Sequence, residues 1–358
     1  MKFFRNAIFF PAIFFALNAH AQIDSILDNF SFTGYVDAYF AVYNDSLDVN
    51  DYQKFAAVSP RSNHIGLNVA SLSAKYTSEH VRGTVILHYG DIPRCSWSPT
   101  FNFVQEANVG IRICKKLWFD GGFFRSHVGT EGWFPKENIT SSVAIATYYE
   151  PLYEAGFRLN YNPSDKLAIN LYLLNGYNLY EDNNKKKSIG LLATYAFTDN
   201  LSMGYNNYLG DDTPVSDTTD HLRFYNNVFL NYEKNKIKIV TGVDFGFQGD
   251  SYYQQTNTIL SGLFAIRYMA TEKFDLYGRV EGYYDPDGIL SGIVDSTGEG
   301  LQIGGLTIGA EYKPTANSYI RLEGRDLISD SGQEIFYRNN DVRNSRFEML
   351  FNLGVWFP

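Results

Sequence analysis

Residues 156–175, G-F-R-L-N-Y-N-P-S-D-K-L-A-I-N-L-Y-L-L-N, constrain the fold more than any other stretch of the chain. Successive side chains of a strand point to opposite faces. Phe157, Leu159 and Tyr161 therefore share one face, and Arg158 and Asn160 the other. Asn162-Pro163-Ser164-Asp165 carries turn chemistry, because proline presets φ and short polar side chains bond the local backbone. Leu167, Ile169, Leu171 and Leu173 resume the apolar face, with Ala168, Asn170 and Tyr172 opposite. The spacing predicts a hairpin whose second face is too polar for a core buried on both sides.

The same unit recurs. Short turns of similar character stand at 77–80, 114–116, 198–200, 233–236, 270–273 and 313–317. From Asp165 onward they fall roughly 35 residues apart, room for two strands of about 10 residues, one short turn and one long loop. Counting arms predicts an all-β, antiparallel, up-and-down transmembrane barrel of about 16 strands, with 14 as the competing count. A parity slip near Ala70 predicts a bulge. About 10 residues at 3.3 Å each, tilted by about 40°, rise roughly 25 Å, the height of an outer-membrane barrel's apolar band. The last strand alternates most sharply: Phe347, Met349, Phe351, Leu353, Val355 and Phe357 lie on one face, and Arg346, Glu348, Asn352 and Gly354 on the other.

Composition agrees with a large β architecture. Aromatic residues make up 16% of the 358, with Gly 30 and Cys 2, which disfavours a disulfide scaffold or a disordered chain. No composition shift divides the chain, so residues 22–358 are expected to form a single barrel domain. Residues 1–21 have the pattern of a cleaved secretory signal: Lys2 and Arg5, an apolar run over 7–17, and the small-x-small site Ala19-His20-Ala21. No apolar run of about 18 residues follows, so no membrane helix is expected. Removal of the leader's two positive charges moves the formal charge from −9 to −11, a balance that disfavours nucleic acid as a partner.

The inward face carries charges of both signs. Arg82, Arg112, Arg158, Arg223, Arg267, Arg279 and Arg321 are its expected bases, and Asp37, Glu106, Asp120, Asp244, Glu281, Glu311 and Glu323 its expected acids. Unpaired charge in a dry interior costs several kcal/mol each, on the order of a buried ion's penalty, so these residues are expected to line a water-filled pore. Tyr161, Tyr195, Tyr232, Tyr268 and Tyr312, all beside short turns, are expected to form an interfacial girdle.

Four passages carry a family resemblance: F-T-G-Y-V-D-A-Y-F near the start, N-H-I-G-L-N to R-G-T-V-I-L-H-Y-G-D, E-N-I-T-S-S to Y-E-P-L-Y-E-A-G-F-R-L-N-Y, and the final F-N-L-G-V-W-F-P. Together they resemble the β-barrel porins of the OmpL-like group of Bacteroidetes-type bacteria. That resemblance covers essentially the whole mature chain and implies an outer-membrane location and channel activity, with no catalytic set to carry over.

The leading expectation is a passive channel for small hydrophilic solutes or ions. It sits amid outer-membrane lipid and lipopolysaccharide, is inserted by the barrel assembly machinery, and is open to homo-oligomerisation. A structural or adhesion barrel with a blocked lumen is the alternative, and a lipid-modifying enzyme the least supported reading. No G-x-S-x-G nucleophile motif occurs, the histidines lack metal-ligand spacing, and no cofactor is called for. Cys95 and Cys114 are expected at opposite ends of one strand, too far apart to bridge. Residues 127–154 break the hairpin pattern and are too apolar for a freely solvated loop. Two placements would bury them, a fold over the mouth or a bend into the lumen; the second is favoured, forming a constriction loop of Glu131, Trp133, Phe134, Lys136 and Glu137 in which Glu131, Lys136 and Glu137 face Arg82, Arg112 and Arg158.

Overall fold

A computed structural model describes residues 28–48, 51–217, 219–250, 255–330, 332–339 and 341–357. The expected signal at 1–21 lies outside them. Strand β1 (Phe30–Tyr43) is followed by β2 (His64–Thr77), β3 (Val81–Tyr89), β4 (Val104–Cys114), β5 (Leu117–Arg125), β6 (Tyr153–Ser164), β7 (Leu167–Leu174) and β8 (Ser188–Thr198). The second half holds β9 (Leu201–Asp211), β10 (Leu222–Lys234), β11 (Ile237–Asp250), β12 (Gln255–Met269), β13 (Phe274–Tyr284), β14 (Gln302–Tyr312) and β15 (Ser318–Ser329). A small separate hairpin, β16 (Phe336–Arg338) with β17 (Asp341–Arg343), precedes the closing strand β18 (Ser345–Phe357).

Every barrel strand pairs antiparallel with its sequence neighbour, and β18 pairs with both β15 and β1, from Gly34 opposite Phe357 to Tyr43 opposite Glu348. The result is a closed 16-stranded up-and-down barrel. Closure satisfies the strand edges that lipid cannot solvate. The hairpin turn expected at 162–165 is displaced: β6 runs on through a register irregularity to Ser164, and the chain reverses at Asp165–Lys166. The slip in β2 is a bulge at Asn68, two residues before the expected Ala70; Asp37 stands opposite Val69 and Ala38 opposite Leu67.

Alternation decides which face meets what. On β18 the six apolar residues from Phe347 to Phe357 are 43–50% exposed, whereas Arg346, Glu348, Leu350 and Asn352 are at most 1% exposed. The same outward display of Phe, Leu, Ile and Val runs round the circumference. A soluble monomer rarely exposes an apolar area of that extent. Tyr161, Tyr195, Tyr268 and Tyr312 face outward beside the short turns, and Tyr89, Phe247, Tyr284 and Phe347 do so near the other ends, making two aromatic girdles.

The interior is not a plain water-filled tube. Two apolar clusters occupy it, built from inward strand residues such as Tyr35, Val69, Tyr208 and Leu327 and from loop residues Phe55, Trp97, Trp133, Phe134, Ile145 and Tyr180. The loops carry helices α1 (Asp91–Ser96) and α2 (Ile145–Tyr149). Cys95 lies in α1 and Cys114 ends β4, and both are free.

Candidate functional site

The segment joining β5 to β6 runs into the barrel and across to the far wall. Its root is fixed at Ser126–His127, where the Ser126 hydroxyl donates to Glu154 at 2.9 Å. His127 Nδ1 lies 2.9 Å from the Glu154 carboxylate, and Nε2 lies 2.8 Å from the Asn207 carbonyl. The imidazole stacks on Tyr172 with ring centres 4.1 Å apart.

The middle of the segment is threaded among arginines and glutamates of β12–β15. Arg321 donates to the carbonyls of Pro135 (2.7 Å) and Thr140 (3.0 Å), and Arg267 to that of Ile139 (2.8 Å). Arg279 donates to the Ser142 carbonyl and the Thr140 hydroxyl, both at 2.7 Å, and to Glu131 at 3.1 Å. In the opposite sense, Glu323 accepts from the Ser141 and Ser142 amides (2.6 and 2.9 Å), and Glu281 from the Ile145 amide (2.6 Å). Wall charges thus supply the hydrogen bonds that an irregular backbone would otherwise lack in a confined space.

These wall charges also pair with one another. Glu131, Arg279, Glu281, Arg325, Glu348, Arg346 and Asp45 form one alternating series, and Arg321, Glu311, Arg267, Asp275 and Lys313 another. Side chains of the first series are at most 5% exposed. The expectation that Arg267, Arg279, Arg321, Glu281, Glu311 and Glu323 face open water is therefore corrected: they are inward, but they are sealed against each other and against the loop.

Glu131 and Glu137 also have partners other than those expected. Glu131 meets Arg279, and Glu137 meets Arg125 through two 2.6 Å bonds; neither carboxylate pairs with Arg82, Arg112 or Arg158. Burial raises the Glu131 carboxyl above its ordinary value, although Arg279 pulls the other way. At Glu137 burial also pushes upward, but the Arg125 charge outweighs it and holds the carboxyl below the usual range. Trp133 and Phe134 are buried in the first apolar cluster, and the Lys136 ammonium lies 4.4 Å from the centre of the Tyr35 ring.

The wall of β3–β6 is different. Asp120, fully buried, is bracketed by Arg82 (2.7 Å) and Arg158 (3.0 Å), whose side chains remain 26% and 24% exposed. Gly110 stands between Arg82 and Asp120 in the register, and a Cβ there would lie 2.0 Å from the Asp120 carboxylate, so any larger residue would have to push that carboxylate aside. Arg112 is exposed, sits 4.7 Å from the centre of the Trp118 ring, and has no carboxylate partner among the described residues. Arg82 lies over the same ring at 4.5 Å. Glu106 is half-buried nearby and accepts from Asn108 at 3.4 Å.

The other expected residues are inward and satisfied. Asp37 accepts from Asn68 and Asn352, Asp244 from Asn227 and Ser261, and Arg223 pairs with Asp212 at 3.2 Å. Arg346 and Glu348 lie on the inward face that the alternation of the last strand assigns them, although they are not among the expected pore charges; sequence reasoning missed Arg325, Arg125 and the His127–Glu154 latch. Parity would have found Arg325, which continues the face of Arg321 and Glu323. Nothing local signals that His127 reaches Asn207.

Three comparisons with known proteins bear on this arrangement. The family model described as "Putative beta-barrel porin-2, OmpL-like" matches residues 29–357. No curated relative matches. Among solved structures, the outer membrane channel DcaP of Acinetobacter baumannii is similar at 11% identity with a TM-score of 0.63, covering 92% of this chain and 97% of that one. A trimer form of OmpT, an outer membrane protein of Vibrio cholerae, is similar at 12% identity and TM-score 0.62, covering 92% and 99%. An anion-selective porin from Comamonas acidovorans is similar at 9% identity and TM-score 0.61, covering 92% and 99%. Identities this low carry the fold alone.

Proposed function

The chain belongs to the OmpL-like beta-barrel porin-2 family and is an outer-membrane channel for passive diffusion; from that premise we propose that it passes small hydrophilic anions along the β3–β6 flank. The carrying observation is the asymmetry of the lumen. Arg82, Arg112 and Arg158 keep guanidinium surface open to water beside the single buried carboxylate Asp120, while the arginines of the first charge series are closed off by carboxylates. A permeating anion meets uncompensated positive charge on one side only, and charge at a constriction sets ion preference through the local field. Residues 126–152 form the constriction, with Glu131, Trp133, Phe134, Lys136 and Glu137 fixing its position. Asp37, Glu106, Asp244, Arg223 and the remaining inward charges hold the wall or the loop.

In this reading the leader is cleaved after Ala21, residues 22–358 form one domain, and the assembly machinery inserts the barrel. Copies associate through their apolar outer faces, for which the trimer form of the Vibrio cholerae protein is the precedent. The mechanism needs no catalytic group, cofactor, metal or nucleic acid. The test is the reversal potential of the reconstituted protein across a potassium chloride gradient: anion preference supports the reading, and cation preference overturns it. The apolar packing of Trp97, Trp133, Phe134 and Tyr180 inside the barrel favours a second reading, a barrel held shut by its loops. A folded, electrically silent protein would support that one instead.

A further inference from the structure

The barrel wall has a break near its outer rim. β2 hydrogen-bonds to β1 from His64 onward, but it pairs with β3 only from Ala70 opposite Tyr89. The upper part of β2 therefore has no strand on its β3 side. β3 instead ends at Tyr89 and is followed by Gly90, whose φ of 141° is open to glycine and where a Cβ would lie 2.5 Å from the Asn68 carbonyl. The chain then turns into α1, packed against β2. Between α1 and the strand lies a cavity of about 390 Å³ lined by Arg61, His64, Ile65, Tyr89, Asp91 and Arg94, among others.

The cavity has two chemically distinct sides. Ile65 is 82% exposed and Tyr89 63%, and both belong to the lipid-facing apolar display of β2 and β3. Arg61 is held in place by the Tyr52 hydroxyl at 3.1 Å and by Asp91 at 3.2 Å, and Asp91 in turn accepts from Tyr39 at 2.6 Å. Arg94 is exposed on α1, and its guanidinium has no partner among the described residues. Arg61 is paired with Asp91 and Arg94 is not, so the site sets two guanidiniums against one carboxylate beside an acyl-compatible surface, at the level of the outer girdle formed by Tyr89.

We infer that this break in the wall binds the phosphorylated headgroup of an outer-leaflet glycolipid, with Arg94 and Arg61 taking the phosphate and Ile65 and Tyr89 meeting its acyl chains. Guanidinium forks match phosphate geometry, and an aromatic ring at the interface is placed to flank a headgroup. The unpaired edge of β2 supplies further polar groups that acyl chains alone could not satisfy. The inference goes beyond passive conduction and rests on the barrel's membrane placement, not on ion flow.

The test uses the full barrel in detergent micelles and native mass spectrometry, with bisphosphorylated lipid A as the probe, its dephosphorylated form as one control and inorganic phosphate as another. The parent retains lipid A and releases the dephosphorylated form. Arg94→Glu weakens retention by about tenfold or more, as expected for reversing a charge against phosphate. Arg94→Gln, which perturbs folding less, shows a loss in the same direction. Equal retention by both variants, equal retention of dephosphorylated lipid, or displacement of lipid A by millimolar inorganic phosphate would each overturn it. Single-channel conductance of Arg94→Glu is expected to match the parent. A silent parent that still binds lipid A would count against the channel reading and leave this site standing.

Discussion

Arg279→Met is the substitution with the best-defined consequence. The guanidinium is fully buried and donates to Glu131, Glu281, the Thr140 hydroxyl and both the carbonyl and hydroxyl of Ser142. Methionine preserves most of the volume and removes every donor. Breaking a buried ion pair from one side costs about 3–5 kcal/mol, because the remaining partner is left charged and unsolvated. Here Glu281 keeps Arg325 (2.7 Å) and the Ile145 amide, whereas Glu131 keeps only the Ala144 amide (2.7 Å). The expected loss is therefore at the lower end, about 3 kcal/mol. Urea unfolding in lipid vesicles, followed by tryptophan fluorescence, measures it. Adding Glu131→Gln to Arg279→Met is expected to recover about 1 kcal/mol or more, since the double variant no longer leaves that carboxylate stranded. Lys238→Met, at an exposed pair with Glu233 3.6 Å away, is the control and is expected to change nothing measurable. An Arg279→Met cost under about 1 kcal/mol would refute the claim that these charges are sealed and interdependent.

Deleting residues 130–146 removes the loop partners of Arg267, Arg279 and Arg321 together, leaving each its wall carboxylate; single-channel conductance is expected to rise and unfolding to shift to lower urea. Asp120→Asn takes away the only carboxylate bracketed by Arg82 and Arg158, and reversal potentials are expected to move toward stronger anion preference. Gly110→Ala places a Cβ against the Asp120 carboxylate and is expected to disrupt the Arg82 pair, lowering stability without the gain in anion preference. The Arg125–Glu137 pair gives a pH dependence. The Glu137 carboxyl is held below its unfolded value, so its contribution is present above that value and is lost as pH falls through the folded one. The stability difference between parent and Glu137→Gln is therefore expected to vanish at low pH, read from unfolding curves across the acid range.

The barrel was legible because period-two alternation is a local signal. The six apolar residues of β18 and the repeated short turns state which face is outward and where hairpins reverse. Length and apolarity marked residues 127–154 as a segment that must bury its side chains, but left open whether it folds over the mouth or bends into the lumen. What those residues would meet was not legible. The pairing of Glu131 with Arg279 spans 148 residues of sequence, and alternation assigns a face without saying what lies across a lumen some strands away. The same limit hid the apolar contents of the barrel: Phe55, Trp97 and Tyr180 sit in separate loops, and nothing local marks them as inward. A list of charges on one face suggested a wet interior. Their mutual satisfaction, which a sequence does not display, makes much of it dry.

In the proposed conduction path, Arg82, Arg112 and Arg158 bound one side with incompletely compensated charge. Reversal potentials across a tenfold gradient, roughly 59 mV of driving force per decade for a fully selective pore at n = 1, compare the parent with Arg82→Gln/Arg112→Gln/Arg158→Gln. The parent is expected to conduct with anion preference and the triple variant to lose most of that preference while conducting. Cation preference in the parent, or unchanged anion preference in the triple variant, would contradict the account.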